Sequence, residues 1–211
     1  KEDLVPTMTD RVVFWVAPLV VFVPAFLIWV TIPFTRDLVV RNLDMGVLYI
    51  IAVSVVSIVG LVMAGWGSSN KYALLGGARA AAQLISYELP LIVVFLAVAM
   101  AAQSLNLTVI VDKQATLPYL LVQPLGFFIM LIASLAEVGR IPFDIPHAES
   151  EVMGGPYIEY SGMHWAVFFL AEYANTFAVG ALVTLLFLGG WNGPFLPPIL
   201  WFFIKSYIVV L

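Results

Sequence analysis

Long apolar runs separated by short polar segments constrain the fold of this chain more than any other feature. The first run, residues 12–34, reads VVFWVAPLVVFVPAFLIWVTIPF and contains no charged residue. At helical rise it would extend roughly 34 Å, and the core of a bilayer is about 30 Å thick. Only 10% of the residues are charged, whereas a soluble domain carries about 25%. Because so few charges cannot cover a surface that faces water, the sequence predicts an integral membrane protein.

The predicted fold class is an all-α integral membrane protein, a multi-span bundle of kinked transmembrane helices. We expect one transmembrane domain over residues 1–211, with spans at about 12–34, 45–65, 79–103, 119–138, 164–190 and 197–211. Pro18 and Pro24 should kink the first span, which neighbouring helices can accommodate in a membrane. The chain starts with Lys-Glu-Asp and stops inside an apolar run, so we interpret it as the middle of a longer protein.

The basic residues are shared unevenly between the two ends of these spans. One end carries five of them, namely Lys1, Arg11, Lys71, Arg79 and Arg140. The other end carries three, namely Arg36, Arg41 and Lys113. The positive-inside rule therefore places the first group, and the acidic loop that follows the fourth span, in the cytoplasm or the mitochondrial matrix. A net charge of −4 makes nucleic acid a poor candidate partner.

The residues that usually hold metals and redox centres are scarce. The chain has no cysteine, which excludes disulfides and thiolate-held iron–sulfur clusters within it. Its two histidines, His147 and His164, are 17 residues apart and share no helical register, unlike the ligands of a zinc site. We predict no metal and no bound cofactor in this chain. Electrons that reach its ligand would have to come from another subunit.

Residues 134–173 hold an unusual concentration of charge for a segment between two membrane helices. They contain six of the 13 acids of the chain, namely Glu137, Asp144, Glu149, Glu151, Glu159 and Glu172. A connector between two spans does not need so many charges. A site that handles protons or a polar head group does.

Four ionisable residues fall inside predicted spans, where each costs several kcal/mol and is a functional candidate by default. They are Glu88, Glu137, Glu172 and Lys205. The topology places the three glutamates in the same half of the membrane, where neighbouring carboxylates in a low dielectric suit proton relay. The alternative is that each acid pairs with a base to hold helices together, and the i,i+3 spacing of Glu137 and Arg140 allows this. Tyr87 and Tyr173 stand beside buried acids and could bond a carboxylate, bind a ligand or only pack.

Several long motifs resemble a known family. They are GWGSSNKYALLGGARAAAQLISYE (65–88), AEVGRIPFD (136–144), AESEVMGGPYIEYSGM (148–163), FFLAEYAN (168–175) and GGWNGPFLPPILWFFIK (189–205). In order and spacing these motifs resemble the H-subunit family of the proton-pumping NADH–quinone oxidoreductase, respiratory complex I, called subunit 1 in mitochondria. The resemblance covers essentially all 211 residues.

The resemblance implies a subunit of about eight transmembrane helices at the junction of the membrane arm and the peripheral arm. Such a subunit forms part of the chamber that binds quinone, the substrate, and holds no redox centre itself. Iron–sulfur clusters and flavin are expected in partner subunits. The implied partners are the other membrane-arm and peripheral-arm subunits, quinone and lipid.

The resemblance also implies roles for particular residues, none of them catalytic in the chemical sense. Glu88, Glu137 and Glu172 would start a charged path through the membrane, to which we add Lys205. The acidic loop 144–159 would respond to quinone reduction, through Asp144, Glu149, Glu151 and Glu159. The quinone-site region would include Arg79, Arg140, Tyr87 and Tyr160. His147 and Pro156 depart from the family pattern of this loop.

Three alternatives to a complex I subunit stay open. The first is the homologous subunit of a membrane-bound hydrogenase or another ion-pumping complex, against which the motifs Ser86-Tyr87-Glu88 and Glu159-Tyr160-Ser161-Gly162 argue. The second is a stand-alone ion transporter, which often shows two matched halves with broken helices; no convincing repeat is present. The third is a passive membrane scaffold, in which the buried glutamates would have no role in activity.

Overall fold

A computed structural model describes Pro6, residues 9–145 and residues 149–211, except the side chains of residues 149 and 150. Within these ranges every regular element is a helix and no strand occurs. Four helical segments are long and apolar enough to cross a membrane, namely Arg11–Val30, Gly46–Gly67, Lys71–Ala102 and Gly162–Phe187. The predicted fold class, an all-α membrane helix bundle, is confirmed.

Nine α-helices and two 3-10 turns follow one another in the described residues. The helices of the first half are α1 (Arg11–Leu27), α2 (Gly46–Gly67), α3 (Lys71–Ala102), α4 (Leu107–Lys113) and α5 (Tyr119–Val122). Those of the second half are α6 (Pro124–Val138), α7 (Glu149–Val152), α8 (Gly162–Phe187) and α9 (Pro198–Val210). The 3-10 turns are Ile28–Val30, which extends α1, and Gly155–Tyr157, which follows α7.

The third span was predicted to start at residue 79, but helix α3 begins eight residues earlier, at Lys71. The segment 65–79, which separates the second and third predicted spans, is therefore helical from Lys71. Asn70 starts the helix, since its side-chain oxygen accepts a hydrogen bond from the backbone N–H of Tyr72 at 2.9 Å. The glycines of this segment serve close packing. A Cβ added to Gly76 would stand 2.5 Å from the Cα of Gly155.

The predicted fourth span, 119–138, is divided into α5 and α6. Gln123 lies between them with φ −133° and ψ 62°, outside the helical region. The cause is local, because the ring of Pro124 disfavours a helical conformation in the residue before it. The segment between the third and fourth predicted spans is not a plain loop either. It contains α4, which Asn106 caps by accepting a hydrogen bond from the N–H of Thr108 at 3.0 Å.

The end of α6 is a turn that fixes the positions of two predicted site residues. Gly139 has φ +67°, a conformation that favours glycine. Its N–H donates to the carbonyl of Ala136 at 3.3 Å, and the N–H of Arg140 donates to that of Leu135 at 3.2 Å. These two bonds form a Schellman motif. Glu137 therefore stands in the last turn of the helix and Arg140 just beyond it.

Contacts divide the described residues into two compact units. The first unit falls within Lys1–Phe26, Val53–Glu88 and Leu135–Ala174, and the second within Leu27–Ala52, Leu89–Ser134 and Asn175–Leu211. The core of the first unit joins small residues of several helices to three aromatic rings, and includes Phe14, Ala17, Ala64, Ala80, Tyr160, Phe168 and Ala171. Small side chains allow helix backbones to approach closely inside a membrane.

The second unit has its own buried polar centre. The side-chain amide of Gln114, 2% exposed, donates to the carbonyl of Leu185 at 2.8 Å. Its oxygen accepts from the N–H of Gly189 at 3.1 Å and from that of Tyr119 at 3.3 Å. This one side chain therefore links α4, the start of α5 and the end of α8.

Candidate functional site

The first unit contains all three of the predicted buried glutamates, Glu88, Glu137 and Glu172. It also contains the other predicted site residues outside α9, namely Arg79, Tyr87, Arg140, Asp144, Glu149, Glu151, Glu159 and Tyr160. Lys205 belongs to the second unit. The site is therefore described from the first unit, and Lys205 is described separately.

Glu88 lies on α3, is half-buried and has a hydroxyl partner on another helix. The Oγ of Ser54, on α2, donates to Oε1 of Glu88 at 2.8 Å. Sequence reasoning missed Ser54. The available signal was a serine inside a long apolar helix, because a polar side chain there needs a partner. Ser57, the other serine of α2, donates to the carbonyl of Ser54 at 2.7 Å within its own helix.

Glu137 stands in the last turn of α6 and does not pair with Arg140, which had been the alternative to a relay role. The nearby charge that acts on Glu137 is Glu88, a group of like sign. A change in the charge of one of these carboxylates therefore acts on the other. The structure thus brings together two acids that are 49 positions apart in the sequence.

Arg140 instead pairs with Glu172 of α8, with 3.3 Å between the guanidinium nitrogen and the carboxylate oxygen. The guanidinium also lies over the ring of Tyr173, 5.1 Å from its centre. The sequence offered Glu172 no base within a helical turn, and the fold supplies one from the loop after α6. One arginine therefore contacts both a half-buried acid and the aromatic residue next to it.

A cleft of about 750 Å³ opens beside this ion pair. Arg140, Asp144 and Glu172 line it together with Tyr157 and the aromatic residues Trp165, Phe168 and Phe169. Burial, and then the charge of Glu172, raise the pKa of Tyr157, so its hydroxyl stays protonated and able to donate. A cleft that combines several aromatic rings with a few convergent polar groups can hold a flat, apolar ligand that carries hydrogen-bond acceptors. Tyr157 was not predicted.

Tyr160, predicted for the quinone-site region, lines the same cleft, but its hydroxyl is hydrogen-bonded within the protein. It is 4% exposed, and burial raises its pKa. Its O–H donates to the carbonyl of Phe14 at 3.2 Å, and the two rings stack with centres 4.1 Å apart. That carbonyl lacks its usual helical partner, because the residue four positions on is Pro18, which has no N–H. Tyr160 therefore supplies the hydrogen bond that the Phe14 carbonyl lacks within α1.

The acidic loop is attached to α3 at three points. Asn70 donates to the carboxylate of Glu159 at 2.6 Å, and Arg79 forms an ion pair with Glu151. Between these points Gly76 and Gly155 bring the two backbones into contact. The ion pair is partly exposed, and such pairs contribute only about 0.2–1 kcal/mol. The contact between the Gly76 and Gly155 backbones is the most restrictive of the three attachments, because it leaves no space for a side chain at position 76.

The remaining predicted residues of the loop and its neighbourhood differ in their surroundings. Tyr87 packs its ring against Phe143 with centres 5.2 Å apart, and no contact joins it to Glu88 in the described part of the chain. Asp144 is exposed and lines the cleft. The side chain of Glu149 and the whole of His147 lie outside the described residues. Pro156 is buried in the 3-10 turn after α7.

Lys205, on α9, caps the carbonyl groups that follow the end of α8 in the second unit. Its ammonium donates to the carbonyls of Leu188, Gly190 and Asn192 at 2.7, 3.0 and 2.7 Å. These three bonds use all three N–H groups of a lysine. The relay role of Lys205 stays a prediction, and the structure gives the residue a capping role besides.

No group of three or more potential metal ligands occurs among the residues that the structure describes. The donors that line the cleft, Arg140 and the hydroxyl of Tyr157, suit an uncharged or anionic organic ligand that accepts hydrogen bonds.

Comparison with known proteins places these residues in a family context. The sequence model of the NADH dehydrogenase family matches residues 1–211. The chain is 50% identical over 209 residues to the H subunit of NADH-quinone oxidoreductase from Dehalococcoides mccartyi, covering 99% of this chain and 59% of that protein. It is 48% identical over 214 residues to the H subunit from a Geobacillus species, covering 64% of it, and 50% identical over 214 residues to that from Anoxybacillus flavithermus, also covering 64%. The chain thus spans about three-fifths of the length of these relatives.

Proposed function

Because the chain belongs to the NADH dehydrogenase family, we propose that it is part of a complex I membrane subunit that helps bind quinone and couples its reduction to proton translocation. Relatives at about 50% identity are named as H subunits of NADH-quinone oxidoreductase. The apolar helices of the structure agree with an integral membrane protein. The redox reaction itself belongs to the assembled complex.

The observation that carries this proposal is one ion pair that faces a cleft and lies beside the turn that bears Glu137, a half-buried acid. Arg140 and Glu172 face a cleft large enough for a quinone head group. Arg140 is also three residues from Glu137, on which the charge of Glu88 acts. A change of charge at the cleft would therefore act on Glu172 directly. It would act on Glu137 through a shift of Arg140 and of the turn that ends α6.

The proposed mechanism assigns the chain binding, orientation and proton handling. The head group would lie beside Arg140 and the hydroxyl of Tyr157, in a chamber completed by partner subunits. Iron–sulfur clusters and flavin in those subunits would supply the electrons that, with two protons, convert quinone to quinol. Before the two protons arrive, the reduced head group would be negatively charged and would attract Arg140, which would weaken the Arg140–Glu172 pair. That change would redistribute protons between Glu137 and Glu88 and so start transport.

Arg79, Tyr87, Glu151 and Glu159 have a supporting part in this proposal. They hold the acidic loop and the segment after α6 against α3, so that the loop can respond to the occupant of the cleft. Asp144 lies at the cleft itself, and Glu149 belongs to the same loop. Lys205 would continue the charged path. The partners are the other membrane-arm and peripheral-arm subunits, and lipid surrounds the exposed apolar faces.

Neutralising the buried acids tests the relay. In the assembled complex, Glu88→Gln, Glu137→Gln and Glu172→Gln should each lower coupled quinone reduction at least tenfold, because a glutamine cannot carry the proton. The matched control is Asp37→Asn, an exposed acid without a predicted role. Measured turnover should be unchanged in the control. Full activity in all three glutamine variants would mean a passive scaffold.

Labelling with a photoreactive quinone tests the binding part separately. Label should appear in the segment 139–173 of this chain in the intact complex, and excess quinone should suppress it. A complex that turns over another electron acceptor and leaves this chain unlabelled would indicate the hydrogenase-type alternative.

A further inference from the structure

Helix α3 carries a side chain, not singled out from the sequence, that binds the turn between α6 and the acidic loop. The Nε2 of Gln83 donates to the carbonyl of Ala136 at 2.7 Å and to that of Phe143 at 2.8 Å. We propose that Gln83 is a positioning residue that holds the turn bearing Glu137 and Arg140 against α3. The inference rests on the proposed function, because it assigns Gln83 a part in the same relay.

The first anchor point is the turn itself. Ala136 immediately precedes Glu137, and its carbonyl already accepts a hydrogen bond from the N–H of Gly139. A carbonyl oxygen has two lone pairs, so it can accept the bond from Gln83 as well. Gln83 therefore binds the Schellman motif at the carbonyl of the peptide group that joins Ala136 to Glu137. A shift of this turn would move Glu137 and Arg140 together.

The second anchor point is Phe143, the residue before the acidic loop. Its N–H donates to the carbonyl of Arg140 at 2.7 Å, which closes a tight turn after α6. Its carbonyl accepts from Gln83, and its ring meets the ring of Tyr87 with centres 5.2 Å apart. Gln83 and Tyr87 are four residues apart, on one face of α3. Two neighbouring side chains of α3 thus hold Phe143 by its backbone and by its ring.

The chemistry of the two acceptors requires an amide at this position. Two carbonyl oxygens need two N–H groups, which the NH₂ of glutamine supplies. The Oε1 of Gln83 is buried and accepts no hydrogen bond from the described residues, so the two donated bonds alone fix the orientation of the amide. Methionine at position 83 would keep the shape of the side chain and lose both donors. Glutamate would point oxygen at oxygen.

The test compares Gln83→Met with Gln123→Met in the assembled complex. Gln123 is a half-buried amide that donates to the carbonyl of Ala97 at 3.4 Å, in the second unit. We expect Gln83→Met to lower coupled quinone reduction roughly five- to tenfold, the factor that corresponds to losing hydrogen bonds of about 1 kcal/mol. Gln123→Met should leave it unchanged. Gln83→Glu should be at least as damaging as Gln83→Met.

Two further readouts separate positioning from a general loss of structure. The infrared difference band of the Glu137 carboxyl, identified by its loss in Glu137→Gln, should shift in Gln83→Met and not in Gln123→Met. In a Glu137→Gln background, Gln83→Met should add little further loss, because both changes act on one step. Independent, multiplicative losses together with an unshifted band would overturn the proposal.

The outcomes also distinguish this inference from the proposed function. If Glu137→Gln itself retains full coupled turnover, the relay fails and the inference fails with it. If Glu137→Gln is impaired while Gln83→Met is not, only the role of Gln83 is wrong. Should Gln83→Met not assemble, Gln83→Asn, which keeps the amide and shortens its reach by one methylene, is measured instead. Full turnover in that variant would count against the proposal in the same way.

Discussion

At the scale of single residues, the candidate site depends on small polar groups that the sequence did not single out. Ser54, Gln83 and Tyr157 each place a donor next to a charged group, a helix end or the cleft. Each is an ordinary residue in its own segment. Its importance comes from what the fold brings opposite it, and a single sequence does not record that.

Ser54→Ala tests whether the hydroxyl partner of Glu88 affects the relay. The change removes the 2.8 Å hydrogen bond to the carboxylate. Hydrogen bonds to charged groups are worth about 1.5–3 kcal/mol, so coupled quinone reduction should fall by roughly tenfold or more. Ser57→Ala is the matched control, since Ser57 bonds only to its own helix. Equal turnover in the two variants would remove Ser54 from the site.

At the scale of the elements, close helix contacts matter as much as charge. The segment 65–79 was placed between two predicted spans, but its glycines let α3 approach α2 and the segment after α7. Length and apolar character predicted where most helices lie. They did not predict that α3 starts at Lys71 or that α5 and α6 separate at Gln123, because a cap and a proline decide such boundaries locally.

Gly76→Ala should loosen the acidic loop from α3. An added Cβ would stand 2.5 Å from the Cα of Gly155, and backbone on both sides has no room to move. Overpacking of this kind costs about 1–3 kcal/mol. Hydrogen exchange over residues 151–162 should become faster in the variant. Gly46→Ala, where the nearest atoms would be 3.7 Å from the new Cβ, should leave exchange in that segment unchanged.

Lys205→Met should destabilise the turn between α8 and α9. Three carbonyls lose their donor, and each unsatisfied buried group costs about 1–3 kcal/mol. The Tm of the purified protein should fall measurably. Lys113→Met, which removes an exposed lysine, should not change it. An unchanged Tm for Lys205→Met would show that the three contacts contribute little, and would leave the relay as the only role proposed for Lys205.

At the scale of the whole molecule, the apolar runs and the low content of charged residues predicted the fold class, and the motifs predicted the family. Both inferences use features spread along the entire chain. The division into two units was not predicted, and neither was the pairing of Arg140 with Glu172. Glu137 is an acid only three residues from Arg140, but Arg140 lies beyond the turn at Gly139 and pairs with Glu172 of α8 instead. Long-range pairings of this kind need the fold.

The orientation in the membrane is a whole-molecule prediction that the absence of cysteine makes easy to test. Ile141 and Val40 are 85% and 76% exposed, and the charge count assigns their segments to opposite sides. In vesicles stripped of peripheral subunits, Ile141→Cys should react with an impermeant maleimide from the cytoplasmic side. Val40→Cys should react only from the other side. The reverse pattern would invert the topology.

The hydrogen bond from Tyr160 to the carbonyl of Phe14 has a consequence for how this sequence can change over time. Pro18 creates the need for that bond, since an N–H at position 18 could bond the same carbonyl within the helix. A lineage that replaces Pro18 therefore becomes free to replace Tyr160 by phenylalanine. A lineage that keeps Pro18 does not. Two positions 142 apart are thus expected to vary together, although their side chains share no charge.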